Sequence, residues 1–233
     1  MYHGGYTGNT LWVDLTRQDA KIEPTNPQLA RLYLGGAGFG VKLLYDVVPP
    51  GTDPLGADNA LIFAPGPLTG TASPCSSRIT ITARSPLTGA IGMSVSGGYF
   101  PAMVKHGGFD AIVIRGRATQ PTYLAIRGQE VRFRSAEGLW GTSTIDCQLF
   151  IKEELRDQNY RIACIGPAGE RLSLMAGVFN ERRAMGRKGL GAVMGAKKLK
   201  AIAILGDDQI PTESMLQLPS WLQPSSGGPC RRL

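Results

Sequence analysis

Between Asn180 and Ile204 the chain carries seven Lys or Arg side chains around Gly186, Gly189, Gly191 and Gly195. Arginine offers a planar fork that matches phosphate oxygens, and glycine lets a ligand approach backbone N–H groups. The combination therefore suits a phosphate-bearing anion. A solvated basic helix end would account for the charge but not for the glycines. Gly189, Gly191 and Gly195 also form a G-x-G-x-x-x-G string, superficially like a dinucleotide loop. Such a loop follows a strand, and Arg182–Met185 does not read as one, so dinucleotide binding is not expected. Arg78 starts an alternating strand directly after a run of small residues, a place where an arginine is ordinarily just exposed. Gly92–Phe100, "GMSVSGGYF", reads either as a simple turn with a tyrosine lid or as a surface where backbone meets a flat ring. His106, beside Gly107 and Gly108, has no carboxylate pattern near it and reads as structural.

Other chemistries are poorly served. No nucleophile elbow, P-loop or H-E-x-x-H string occurs. The cysteines are Cys75, Cys147, Cys164 and Cys230, none in a C-x-x-C pair, so neither a zinc site nor an iron–sulfur spacing is legible. Free thiols and the absence of a leader-like start point to a cytoplasmic location. No segment reaches the roughly 18 apolar residues of a membrane helix. Net charge is +7 over 233 residues, which favours anionic partners. Aromatic and basic residues are not interleaved, so nucleic acid is not the expected one.

The elements that must position these loops are short and mixed. Thr10–Leu15 and Ala20–Pro24 form an opening hairpin; Asn26 caps a helix with Pro27 at its first position, and a second helix ends before Pro49. Strands are expected at Ala60–Pro65, Arg78–Arg84 and Phe109–Gly116, then a hairpin turning near Gly128 and Gln129. Thr142–Gln158 is the clearest amphipathic helix, with Ile145, Leu149 and Ile151–Leu155 on its inner side. Strands close the second half at Tyr160–Gly166, Arg171–Asn180 and Lys200–Gly206. Without a strict β-α-β rhythm the fold class is α+β. The echo of Gly66–Gly70 in Ser85–Gly89 suggests an internal duplication. Residues 1–208 read as the folded domain and residues 209–233, rich in Pro, Ser and Gly, as an irregular or truncated tail.

Composition and spacing alone reach a soluble domain with basic, glycine-lined loops. The strings "LGGAGFGVKLLYDVVPPGTDPLG", "GPLTGT", "SPLTG", "SGGYF", "GFDAIVIRG", "CIGPAGE" and "GRKGLGAVMGAKKLKAIAI", in that order from Tyr6 to Gly206, carry more. Together they resemble the N-terminal domain of the aldehyde ferredoxin oxidoreductase family. The resemblance implies an α+β fold of two similar halves with mixed or antiparallel sheets. It implies a base for a tungsten or molybdenum bis-pterin (molybdopterin) cofactor, aldehyde or oxo-acid substrates, and electrons passed through a 4Fe-4S cluster to ferredoxin.

Carried over by position, the resemblance assigns Arg78 to a pterin phosphate and Val95, Ser96 and Gly97 to the pterin loop. Val95 stands where the family has asparagine, so that side-chain hydrogen bond is lost. The late basic loop supplies Arg183, Ala184, Gly186 and Arg187. The resemblance also implies helical domains that ligate the cluster and build the substrate pocket; this chain ligates neither metal nor cluster and holds no catalytic residue. It is therefore expected to be inactive alone and to work with C-terminal domains in cis or in trans. The alternatives are a stand-alone pterin-binding subunit or an inactive truncated fragment, and a homodimer is compatible with either.

Overall fold

A computed structural model describes residues 4–206 and residue 210. The first half builds a six-stranded sheet from β1 (Asn9–Asp14), β2 (Asp19–Pro24), β3 (Leu61–Pro65), β4 (Ile79–Arg84), β5 (Ile91–Ser96) and β6 (Ala111–Arg115), in the order β2-β1-β6-β3-β4-β5. The second half repeats this with β7 (Thr122–Arg127), β8 (Glu130–Ser135), β9 (Arg161–Cys164), β10 (Val178–Asn180), β11 (Arg183–Met185) and β12 (Leu199–Leu205), in the order β8-β7-β12-β9-β10-β11. In each sheet the hairpin strand pairs parallel with the half's last strand, β1 with β6 and β7 with β12; the other pairings are antiparallel. The α+β duplication is therefore real, but the Gly66–Gly70 echo is not its trace. Both copies of that string lie in the first half, following β3 and β4.

Of three apolar layers, the one between the sheets joins the halves, and the other two lie within one half each. Period-2 alternation splits each central strand between two of them. Ile112 and Ile114 of β6 point into the core between the sheets, together with Ile202 and Ile204 of β12. Ala111 and Val113 face the other way, toward α1 (Pro27–Tyr33) and α2 (Ala37–Val47). Ala201 and Ala203 face α4 (Thr144–Glu154). The intersheet core also takes Phe100 and Val104 of α3 (Tyr99–His106) and Val193 and Met194 of α6 (Leu190–Ala196). Both of these helices begin just after an edge strand, α3 after β5 and α6 after β11, so their N-terminal loops fall at one junction.

Local expectations hold where caps speak clearly. Asn26 accepts the Gln28 N–H at 2.9 Å with Pro27 at the first helical position. The start of α4, for which no cap was read, is capped by Ser143, which accepts the Asp146 N–H at 3.1 Å. Other expectations fail, among them the strand at Arg171–Asn180, which is a strand only over Val178–Asn180. Gly92–Phe100 is not a turn: it is strand β5 running into α3. The predicted inner face of α4 holds only at its end: Ile151 is buried and Leu155 half-buried, but Ile145 and Leu149 are exposed and Cys147 is buried in their place. Cys147 packs as a small apolar residue, and Cys147, Ile151 and half-buried Leu155 supply the four-residue spacing that the larger side chains had suggested elsewhere.

The glycine string of the basic segment has a packing role. Arg183–Met185 is a strand, contrary to the reading that set a dinucleotide loop aside, yet the glycines do not form a ligand loop either. Gly191 and Gly195 are buried in α6, and a Cβ on them would collide with the carbonyls of Gly177 and Gly169 respectively. They bring α6 against α5 (Pro167–Glu170) and the loop ahead of β10. Two of the lysines are structural too. Lys197 Nζ, buried, donates to the carbonyls of Ala57 (3.1 Å), Asn59 (2.5 Å) and Gly116 (3.0 Å), and Lys200 pairs with Glu170. The tail expected after residue 208 falls outside the described residues, residue 210 excepted. Among the described residues no helix is long and apolar enough to cross a membrane.

Candidate functional site

The edge strands of the two sheets meet at β5 and β11, and the residues expected to hold a ligand line that meeting. β5 alternates: Gly92, Ser94 and Ser96 turn inward to the second half, while Ile91, Met93 and Val95 face outward. Ser96 Oγ donates to Asn180 Oδ1 at 2.8 Å, and Asn180 Nδ2 donates to the Gly97 carbonyl at 2.8 Å. Further along, the Arg187 N–H donates to Ser94 Oγ at 3.2 Å, and Ser85 Oγ donates to the Lys188 carbonyl at 2.7 Å. The segment from Asn180 to Lys188 is thus sewn along β5 by polar bonds whose partners are mostly buried. Each such bond would be costly to leave half-made.

This seam fixes the arginines. Arg78 immediately precedes β4, whose Ile79 pairs with Ser96, so its side chain emerges beside Gly97. A Cβ on Gly97 would lie 3.4 Å from Arg78 Nη1, 3.8 Å from Arg183 Nη1 and 3.2 Å from the Ser77 carbonyl. Two guanidinium groups from different halves of the duplication therefore close on one bare glycine, near enough to share a phosphate group. Their side chains, and that of Arg187, make no hydrogen bond or ion pair among the described residues. The Arg187 backbone lies on Ser94, three residues before Gly97.

The remaining expected residues divide. Gly97 is buried at the centre of the junction, and Ser77 Oγ donates to the neighbouring Gly98 carbonyl at 2.6 Å. Ser96 is present, but its hydroxyl is engaged with Asn180, leaving its backbone for a ligand. Val95 points outward and is exposed, away from Ser96. Ala184 and Gly186 are exposed beside Arg183 and Arg187, and a Cβ on Gly186 would meet only Ala184 Cβ, at 3.7 Å.

Sequence reasoning missed the supports. Asn180 is fully buried and bridges Ser96 and Gly97. Glu181, at a left-handed φ of 55°, turns β10 into β11. Its carboxylate accepts the Tyr99 N–H at 3.2 Å, and its second oxygen lies 4.0 Å from Arg161 Nε. Arg161 in turn stands 5.0 Å over the Tyr99 ring. Gln148 of α4 holds the Glu181 N–H at 2.8 Å and its carbonyl at 3.3 Å. The Asn-Glu step between two short strands was the only local signal for this turn.

Chemically the junction is an anion cradle: bare backbone at Gly97 and two guanidinium groups that, among the described residues, form no ion pair with a carboxylate, although Glu181 lies near Arg183 at Gly98. Among the described residues no three His, Cys, Asp or Glu side chains gather as metal ligands. A bis-pterin carrying phosphate groups and holding its metal through its own sulfurs fits this donor set.

Comparison with known proteins places the sequence and the fold. The family model described as aldehyde ferredoxin oxidoreductase, N-terminal domain, matches residues 10–206. The tungsten-containing aldehyde ferredoxin oxidoreductase of Thermococcus kodakarensis is 44% identical over 208 residues, 89% of this chain and 34% of that protein. The same enzyme of Pyrococcus abyssi is 45% identical over 207 residues, 88% of this chain and 34% of its length. Among solved structures, the active site complex BamBC of benzoyl coenzyme A reductase with 1,5-dienoyl-CoA superposes with a TM-score of 0.88 at 37% identity. That match covers 90% of this chain and 32% of that one. The chain spans about a third of the length of the curated relatives it matches. The family model and these relatives show that this chain belongs to the aldehyde ferredoxin oxidoreductase family, with residues 10–206 matching its N-terminal domain.

Proposed function

We propose that the chain is one wall of the cofactor site of a tungsten or molybdenum bis-pterin aldehyde oxidoreductase. The observation that carries this reading is the convergence of unpaired Arg78 and Arg183 on Gly97. Those two guanidinium groups hold a pterin phosphate, with Arg187 beside them and the backbone of Ser96, Gly97, Ala184 and Gly186 against the cofactor's edges. When bound, the cofactor supplies the redox centre at which an aldehyde and water become a carboxylate. The residues of this chain bind and orient it. The substrate pocket, the 4Fe-4S cluster and the route to ferredoxin belong to the remaining two thirds of the longer protein.

A surface feature supports the need for that remainder. Ile91, Met93 and Val95 form an exposed apolar stripe on β5, and Leu172, Leu174 and Met175 are exposed in the loop ahead of β10. Exposed apolar groups at an edge strand next to a ligand site suit a covering domain. The chain alone is then inactive, and it pairs one-to-one with a C-terminal complement in cis or in trans. Co-production with the C-terminal two thirds of a tungsten-containing relative tests this. The assembled pair is expected to reduce a viologen dye with aldehyde and the separate chain is not; turnover by the separate chain would refute the proposal.

A further inference from the structure

At the far edge of the second sheet, arginines gather around a small cleft. Edge strand β8 lies five strand spacings from β11, about 24 Å across the sheet. On the side facing α4 it carries Glu130, Arg132 and Arg134, paired across β7 with Arg127, Ala125 and Tyr123. Arg127 and Arg132 are diagonal neighbours, about 7–8 Å apart along the ladder. The short Ala125 side chain lies between them, so they flank a hollow rather than a filled surface. The end of α4 closes the hollow with Glu154, Leu155 and Arg156, and the buried Tyr160 lines it from below. The space measures about 200 Å³.

Half of the positive charge is matched. Arg132 Nε lies 2.7 Å from Glu130 Oε1, and Arg134 Nη1 lies 3.0 Å from Glu154 Oε1. Arg127 and Arg156 have no hydrogen bond and no carboxylate partner among the described residues. Arg134 Nε, buried, has no hydrogen-bond partner there either. Four arginines against two glutamates leave the cleft a net charge of +2.

The fold does not require the two free arginines. Arg156 follows the end of α4 at a left-handed φ of 54°. Its N–H donates to the Glu153 carbonyl at 3.1 Å and the Asp157 N–H to the Lys152 carbonyl at 3.2 Å, a helix-ending turn in which glycine ordinarily stands. A cation there complements the helix dipole, but that does not account for Arg127 on the sheet. The duplication supplies a comparison. Where the second half sets Arg127 opposite Glu130, the first half sets Asp14 opposite Asp19 at the matching end of its hairpin.

We infer that this cleft binds a tetrahedral oxyanion of the phosphate class, gripped by Arg127 and Arg156. Two unpaired guanidinium groups match the two charges of a phosphate dianion, and each planar fork can hold two of its oxygens. Size sets the class. Pockets for drug-sized ligands run to roughly 300–1,000 Å³, so this space admits a phosphate group and little beyond it. The group is either free phosphate or the phosphate of a small monoester. The cleft is separate from the arginine pair at Gly97 and does not depend on what that pair binds.

The test uses the full chain carrying Arg78→Ala and Arg183→Ala, so that phosphate held at the junction does not count. Equilibrium dialysis is run with labelled inorganic phosphate and separately with glycerol phosphate, at about pH 8, where a phosphate monoester is a dianion. One saturable site per chain is expected. Adding Arg127→Gln should weaken it at least tenfold. Arg156→Gly should weaken it comparably while the thermal midpoint shows the chain still folded, because glycine suits that φ. Saturation by inorganic phosphate alone assigns the cleft to the free ion, and saturation by glycerol phosphate assigns it to a monoester; either supports the inference. Absence of saturable binding to the parent variant, or binding that survives Arg127→Gln and Arg156→Gly together, would overturn it.

Discussion

At the scale of single residues, the arrangement turns on Asn180. Its amide is fully buried and satisfies both Ser96 Oγ and the Gly97 carbonyl, so it ties the ligand loop of one half to the turn of the other. Substituting Asn180→Leu would keep the volume but remove both bonds, leaving the buried Ser96 hydroxyl and Gly97 carbonyl only their own 3.2 Å contact. Loss of about 2–3 kcal/mol of unfolding free energy is expected, read from denaturant titration. A loss within a few tenths of a kcal/mol would mean that the seam contributes little. The same residue shows why this part of the site was not legible. Basic side chains announce an anion in any sequence, whereas an asparagine reaching 84 residues back along the chain to Ser96 leaves no local pattern.

Elements were legible in proportion to how local their causes are. Asn26-Pro27 marked a helix start because the cap acts within two residues. The opening hairpin was legible because Thr10–Leu15 and Ala20–Pro24 alternate across a short polar turn. Strand β5 was not, because its inward residues are Gly92, Ser94 and Ser96; it faces a polar seam rather than an apolar core, so the usual alternation is inverted. The basic segment misled for a related reason. Lys197 looks like a ligand-gripping charge, yet it ends α6 inside a cage of three carbonyls from the first half. Burial, with Arg117 and Arg115 adding, draws its pKa down from 10.5 to about 7. Between those values the folded state binds fewer protons than the unfolded chain, so this residue's contribution to stability rises with pH through that window. The contribution is lost as pH falls toward 7. Thermal midpoints of the native chain and Lys197→Met, compared from pH 7 to 10, should therefore diverge in favour of the native chain as pH increases. A gap that stays constant or narrows would show that the lysine is not held near 7.

For the whole molecule, the duplication places the site. Each half ends its sheet in an edge strand followed by a glycine-bearing loop and a helix: Gly97 and Gly98 before α3, Gly186 and Gly189 before α6. Packing the sheets face to face brings these two ends together, so arginines more than 100 positions apart in the chain flank one glycine. The resemblance in "SGGYF" and "GRKGLGAVMG" named two loops far apart in the chain, and only the topology explains why they meet at one junction. The central claim is that Arg78 and Arg183 jointly anchor the phosphate of a pterin cofactor. Charge-assisted contacts of this kind contribute about 1.5–3 kcal/mol each, so removing both should lower cofactor affinity by two orders of magnitude or more. The most direct measurement is the metal and pterin content per chain of the protein assembled with its C-terminal complement, native against Arg78→Ala/Arg183→Ala. The account predicts that the double variant assembles yet loses most of both. A double variant that retains native metal and pterin content would contradict it.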